Sequence, residues 1–243
     1  RLNLRRFEQI VTVISDLKNM GKEIVIVSSG AIGVGAGTMG LKERPREKIE
    51  KQAAAAVGQC SIMYWYDKFF GDYDKTIAQI LLNADDIEDE EKKENITNTF
   101  DALLEMGIIP VVNENDSVSY KEIESEDRLF GDNDMLSAVV AVLCKAQKLI
   151  ILSDIDGMYD SDPRLNLHAK LIEKIEHIDE NLFSLAGSAG SRRGTGGMKT
   201  KLGAAHLATS NGTDVVITNG KHPDGIYDIV AGKSVGTLFV GQK

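Results

Sequence analysis

Residues 23–40 read EIVIVSSGAIGVGAGTMG. The opening EIVIV, residues 23–27, is a short apolar, β-branched run, the pattern of a strand buried on both faces. It passes into Ser28, Ser29 and Gly30 and then into a glycine-dense stretch ending at Gly40, which reads as a loop. Glycine-rich loops bring backbone N–H groups close to phosphate oxygens with no side chain in the way. Before the strand, Leu4, Phe7, Ile10, Val11, Ile14 and Leu17 recur at helical spacing and stop at Gly21. After it, helical patterns over 53–70, 95–106, 136–143 and 198–210 alternate with strand-like runs at 77–82, 108–112, 148–152, 215–218 and 238–240. Apolar strands alternating with helices predict an α/β fold whose mainly parallel sheet is covered on both faces. The acidic stretch 85–94 reads as a solvated loop and helix start.

Ligands of parallel α/β sheets bind at the carboxyl ends of strands. Three predicted strand ends carry SSG (28–30), NEND (113–116) and SDIDGMYDSDPR (153–164). Turn chemistry accounts for any one of these, but three in register with three strands point to a site. GTGGMKTK, residues 194–201, runs from glycines into a helix start, where amides and Lys199 and Lys201 can meet an anion. GDND, residues 131–134, opens another helix, where one polar residue suffices as a cap and three stand.

Two familiar motifs fail. Gly35, Gly37 and Gly40 match a dinucleotide fingerprint, but the region about 20 residues on is Ala-rich, not an acidic strand end. Gly232, Lys233 and Ser234 end a would-be phosphate loop whose first glycine position is Tyr227, so they read as a surface turn.

Composition sets outer bounds. Hydrophobic residues make up 42% of 243 residues, enough for a core. The net charge of −9 disfavours nucleic acid or an anionic membrane as partner. No apolar run reaches the roughly 18 residues of a membrane span. Cys60 and Cys144 sit in apolar helical patterns without metal-ligand spacing and read as two buried, reduced thiols of a cytoplasmic protein.

SSGAIGVG, PVVNEND, FGDNDMLSA, LSDIDGMYDSDPR and GTGGMKTK, in this order, resemble the amino acid kinase family over nearly the whole chain. NEND and GDND followed by GTGGMKTK are more similar to the members acting on glutamate than to those acting on acetylglutamate, aspartate, carbamate or UMP. The resemblance implies a three-layer α/β/α sandwich with a mainly parallel central sheet of about eight strands. Residues 1–243 then form one kinase domain, with no C-terminal RNA-binding-like domain in this chain. The implied reaction is transfer of the ATP γ-phosphate, with Mg²⁺, to the γ-carboxylate of L-glutamate, the first step of proline synthesis. Glutamate falls to Ser29, Asp116 and Asn133. ATP falls to Ser153, Asp154, Thr195, Gly196, Gly197, Met198, Lys199, Thr200 and Lys201. Lys201, Asp134 and Gly30 take catalytic roles; no protein ligand of the metal is assigned.

The resemblance also implies a homo-oligomer, dimer or tetramer, and inhibition by proline, with residues 117–130 as a loop over the glutamate site. Family members begin with a strand ending in Lys-x-Gly, and this chain starts downstream of that point, so an upstream segment with a further lysine is expected. Other readings are a family member acting on a different carboxylate or carbamate, and a regulatory member that binds an amino acid without turnover.

Overall fold

Asn3 starts the first helix, its side chain accepting from the Arg6 amide at 3.2 Å. Gly21, in the left-handed region at φ 81°, follows the helix end. Between them α1, Leu4–Asn19, buries Val11, Ile14 and Leu17 of the face that the helical spacing marks, and Val13 besides. The computed structural model describes residues 2–118, 133–163, 165–188 and 197–242. The chain divides into two compact units, Arg1–Asn133 and Asp134–Lys243.

In the first unit, β1 (Ile26–Val27) leads into α2 (Ala31–Thr38) and α3 (Lys48–Gly71). Then come β2 (Ile77–Leu82), α4 (Ala84–Glu88), α5 (Glu90–Glu105) and β3 (Ile109–Glu114). The three strands run parallel in the order β1-β3-β2, with Val27 opposite Val112 and Leu82 opposite Glu114. Ile26, Val111 and Ile109 pack with Val11 and Ile14 of α1 and Ala55, Ile62, Tyr66 and Phe70 of α3.

Two expectations change here. The glycine-dense stretch is not a loop beyond Gly30: it forms α2. Each interior glycine disfavours a helix by about 1 kcal/mol, but Gly35 lets the α2 backbone rest directly on α3. A Cβ at Gly35 would stand 2.6 Å from the Ala54 carbonyl carbon and 2.9 Å from the Gly58 nitrogen. Tertiary contact outweighs propensity. The acidic stretch is helical as well. Asp89 ends α4 and caps α5, accepting from the Lys92 amide at 3.0 Å, and Glu90 and Glu91 lie at the positive end of the α5 dipole.

The second unit contains α6 (Asn133–Leu143, its first residue counted with the first unit), β4 (Lys148–Ser153), β5 (Lys174–Ile175) and α7 (Glu180–Ser188). It continues with α8 (Met198–Ser210), β6 (Asp214–Asn219), α9 (Gly225–Val230) and β7 (Thr237–Phe239). Its sheet has the order β4-β6-β7-β5. Leu202, Ala205 and Ala208 of α8 pack on Ile151, Val215, Ile217 and Phe239.

Among the described residues there are seven strands, in sheets of three and four. Four of the five pairings are parallel and only β6–β7 is antiparallel. Helices cover both sides of these mainly parallel sheets, the expected three-layer α/β/α architecture. Gly232, at φ 81°, follows α9, and Lys233 is an exposed partner of Asp228, so GKS is the surface turn expected of it. The cysteines differ from expectation. Neither is in a disulfide among the described residues, but Cys60 is exposed and Cys144 half-buried. Cys60 stands one position past the buried Gln59, a step of about 100° round the helix, which turns it outward from α3.

Candidate functional site

β1 ends at Val27, and the Ser28 amide still donates to the Val112 carbonyl at 2.8 Å. The chain then turns at Gly30, whose φ of 84° is left-handed and suits only glycine without strain. α2 starts there with no side-chain cap. Its first amides are therefore open to an anion from outside the helix. Ser29 and Gly30 are exposed.

Asn133 reaches this turn, its Nδ2 donating to the Ser28 carbonyl at 3.1 Å. Two residues counted separately in the sequence are thus joined. Asp116 lies just past the end of β3, the strand beside β1. Burial pushes its carboxyl above the ordinary aspartate range, which suits a carboxylate that a cationic ligand would recharge.

Sequence reasoning missed the residues behind the turn. Tyr66 of α3 is buried; burial raises this phenol, and its interaction with the Ser28 side chain partly offsets the rise. Asn113 Nδ2 donates to Gln59 Oε1 at 2.9 Å in the core, leaving Gln59 Nε2 and Asn113 Oδ1 without partners among the described residues. A glutamine after the apolar run AAAAVG, residues 53–58, was the available signal for Gln59; a tyrosine among aromatics gave none for Tyr66.

In the second unit, Lys201 Nζ and Asp134 Oδ2 form an ion pair of 2.7 Å, with the two side chains only 11% and 14% exposed. Asp134 sits in the first turn of α6 and Lys201 in that of α8. Gly197 is the N-cap of α8 without a side-chain cap, and its carbonyl accepts from Thr200 Oγ1 at 2.8 Å. Met198 is half-buried and Lys199 exposed. Ser153 ends β4, and its hydroxyl donates to the exposed Asp154 at 3.2 Å. Thr195 and Gly196 lie outside the described residues, as do Gly131, Asp132 and residues 119–130. A further polar group was quoted in the sequence but given no role. Asp156 accepts from Asn219 Nδ2 at 2.7 Å and from the Tyr159 hydroxyl at 3.1 Å, tying the ends of β4 and β6 together.

The first unit therefore presents an uncapped helix start directly after a polar strand end, and the second a helix start whose first turn carries the Lys201–Asp134 pair, features of α/β proteins that handle anionic ligands. The model of the amino acid kinase family matches residues 2–219. The chain belongs to the amino acid kinase family.

It is 55% identical over 242 residues to a glutamate 5-kinase of Clostridium perfringens, covering 100% of this chain and 90% of that protein. It is 48% identical over 239 residues to a glutamate 5-kinase of Enterococcus faecalis, covering 98% of this chain and 88% of that one. Among solved structures, the carbamate kinase of Giardia lamblia matches with a TM-score of 0.67 at 15% identity, over 98% of this chain and 90% of that one. The isopentenyl phosphate kinase of T. acidophilum matches with a TM-score of 0.63 at 19% identity, over 97% and 91%. At such identities these structures speak to the fold alone.

Proposed function

We propose that this chain is a kinase domain that transfers the γ-phosphate of ATP to the γ-carboxylate of L-glutamate, the first step of proline synthesis. The observation that carries the reading is the likeness to glutamate 5-kinases over the whole chain. In the reaction a γ-carboxylate oxygen attacks the γ-phosphorus, the bond from that phosphorus to the β-phosphate oxygen breaks, and ADP leaves. The nucleophile is already ionised, so no general base is needed. What remains for the protein is in-line positioning and charge neutralisation.

Ser29, Asp116 and Asn133 hold glutamate: the acid takes the α-ammonium, and the amide and hydroxyl take mixed donors and acceptors. Ser153, Asp154 and residues 195–201 hold ATP, with the α8 amides on its phosphates. Lys201 neutralises charge developing on the transferred group, and Asp134 holds that ammonium in place at 2.7 Å. Gly30 and the first amides of α2 donate to phosphoryl oxygens in this reading. Among the described residues no group of three or more His, Cys, Asp or Glu side chains could cage a metal. No protein ligand is assigned to Mg²⁺, which would ride on nucleotide phosphates and water. When bound, Mg²⁺ would supply charge neutralisation to the nucleotide phosphates.

Further parts of the reading are a homo-oligomer, dimer or tetramer, and a cytoplasmic location. No helix among the described residues is long and apolar enough to cross a membrane.

Trapping tests the reaction directly. With hydroxylamine present, the full-length protein should convert glutamate and ATP to γ-glutamyl hydroxamate with one ADP released per hydroxamate. ADP release without hydroxamate would exclude carboxyl phosphorylation.

Proline carries the α-carboxylate and α-nitrogen that Asp116 and Asn133 would grip, so it should compete with glutamate. Initial rates across glutamate at several proline concentrations should show inhibition relieved by excess glutamate. Inhibition that saturating glutamate leaves in place would put proline elsewhere.

A further inference from the structure

We propose that Gly58 and Tyr66 of α3 are positioning residues for the turn at residues 28–30, so that α3 sets the affinity for the substrate carboxylate from behind the site. The proposal rests on the glutamate reading and adds residues outside the motifs that suggested it.

The first support is a reciprocal backbone contact. A Cβ at Gly58 would stand 2.7 Å from both the Ala31 carbonyl carbon and the Gly35 nitrogen, and would overlap the Ala31 oxygen. The same holds for Gly35 against Ala54 and Gly58. The two helices thus touch main chain to main chain, where no flexible side chain can absorb a change. Ala31 is the first residue of α2 and follows Gly30 directly. Whatever moves the Ala31 carbonyl moves the turn. Gly30 and Gly33, by contrast, have nothing within 4 Å of an added Cβ. The glycines of this region therefore divide between one closed contact and an open face.

The second support comes from Tyr66, two turns along α3. Its ring lies 4.3 Å from that of Phe7 and 6.0 Å from that of Phe70, centroid to centroid. Held there and buried, it interacts with the Ser28 side chain, and the Ser28 carbonyl accepts from Asn133. Tyr66 is buried and acts through Ser28.

Two variants test this in the full-length protein, with Gly71→Ala on the same helix as control, where an added Cβ meets nothing within 4 Å. Tyr66→Phe removes one oxygen and keeps the ring. It should raise glutamate KM about two- to tenfold, the worth of one hydrogen bond. Gly58→Ala should raise glutamate KM by about tenfold or more, because the α2 backbone has to give way. Both should leave the ATP KM within about twofold and shift the ¹H–¹⁵N resonances of the Ser29 and Gly30 amides in ligand-free protein.

A merely structural role would lower the melting temperature and leave the ratio of the two KM values alone. Unmoved Ser29 and Gly30 amides in folded Tyr66→Phe, or moved amides with an unchanged glutamate KM, overturn the proposal. If Gly58→Ala does not fold, Tyr66→Phe decides alone. If the parent protein shows no glutamate-dependent turnover, the glutamate reading fails, and the amide shifts still decide whether α3 positions the turn.

Discussion

Lys201→Ala should lower kcat by about 10²-fold or more while glutamate KM changes by less than about threefold. The ammonium of Lys201 is 2.7 Å from Asp134 and nearly buried, so it is held before any ligand arrives and loses little orientation entropy when charge develops near it. Stability has to be separated from catalysis here. Removing one partner of a buried ion pair typically costs about 3–5 kcal/mol because the other charge is left in a poor environment. The kcat comparison therefore belongs well below the melting temperature, on protein shown to be folded. Lys201→Met, which keeps the apolar stem, should lose as much kcat as Lys201→Ala. Lys199, exposed on the same turn, should tolerate Ala with kcat within about threefold. Near-normal kcat in folded Lys201→Met removes this lysine from the mechanism.

Asp116→Asn and Asn133→Ala should raise glutamate KM by about 10- to 100-fold, with ATP KM little affected. Bonds to charged groups are worth roughly 1.5–3 kcal/mol, which converts to that range. Asp116 adds a pH signature. Burial raises its carboxyl above the ordinary aspartate range, so it takes up a proton earlier as pH falls. The substrate ammonium needs the carboxylate, so glutamate KM should climb as pH drops through that raised value. Asp116→Asn should flatten the climb.

The stability sign runs the other way. A carboxyl whose pKa is higher folded than unfolded favours the fold at low pH, and that contribution is lost as pH rises through the raised value. At neutral pH, ligand-free Asp116→Asn should therefore melt no lower than the parent, even as glutamate binding weakens. A substitution that lowers ATP affinity and spares glutamate would reverse the assignment.

How much of this was legible in the sequence depends on range. β2 at residues 77–82 and α8 at residues 198–210 were read at their observed bounds, because each is a continuous pattern between clear stops. Two-residue β5 and six-residue α9 escaped: neither is long enough to show a period. α2 was misread because glycine argues locally for a loop, while its reason for being helical is 20 residues away at Ala54 and Gly58.

The site shows the same division. Ser29, Asp116, Asn133, Asp134, Ser153 and Lys201 stand at strand ends and helix starts, where the strings advertised them. The Lys201–Asp134 pair spans 67 residues of sequence and the bond from Asn133 to the Ser28 carbonyl spans 105. Pairings at that range leave no local mark on the chain.

The central claim is that the acceptor is the γ-carboxylate of L-glutamate. Steady-state ADP release by the full-length protein, run with L-glutamate, N-acetylglutamate, aspartate, carbamate and UMP in turn, measures it most directly. L-glutamate should exceed every other acceptor in kcat/KM by about 10²-fold or more, since N-acetylglutamate, carbamate and UMP leave groups built for its free ammonium unpaired, and aspartate, one methylene shorter, holds its side-chain carboxylate short of the phosphate. Equal or faster turnover with another acceptor, or tight glutamate binding with no ADP released, would contradict it.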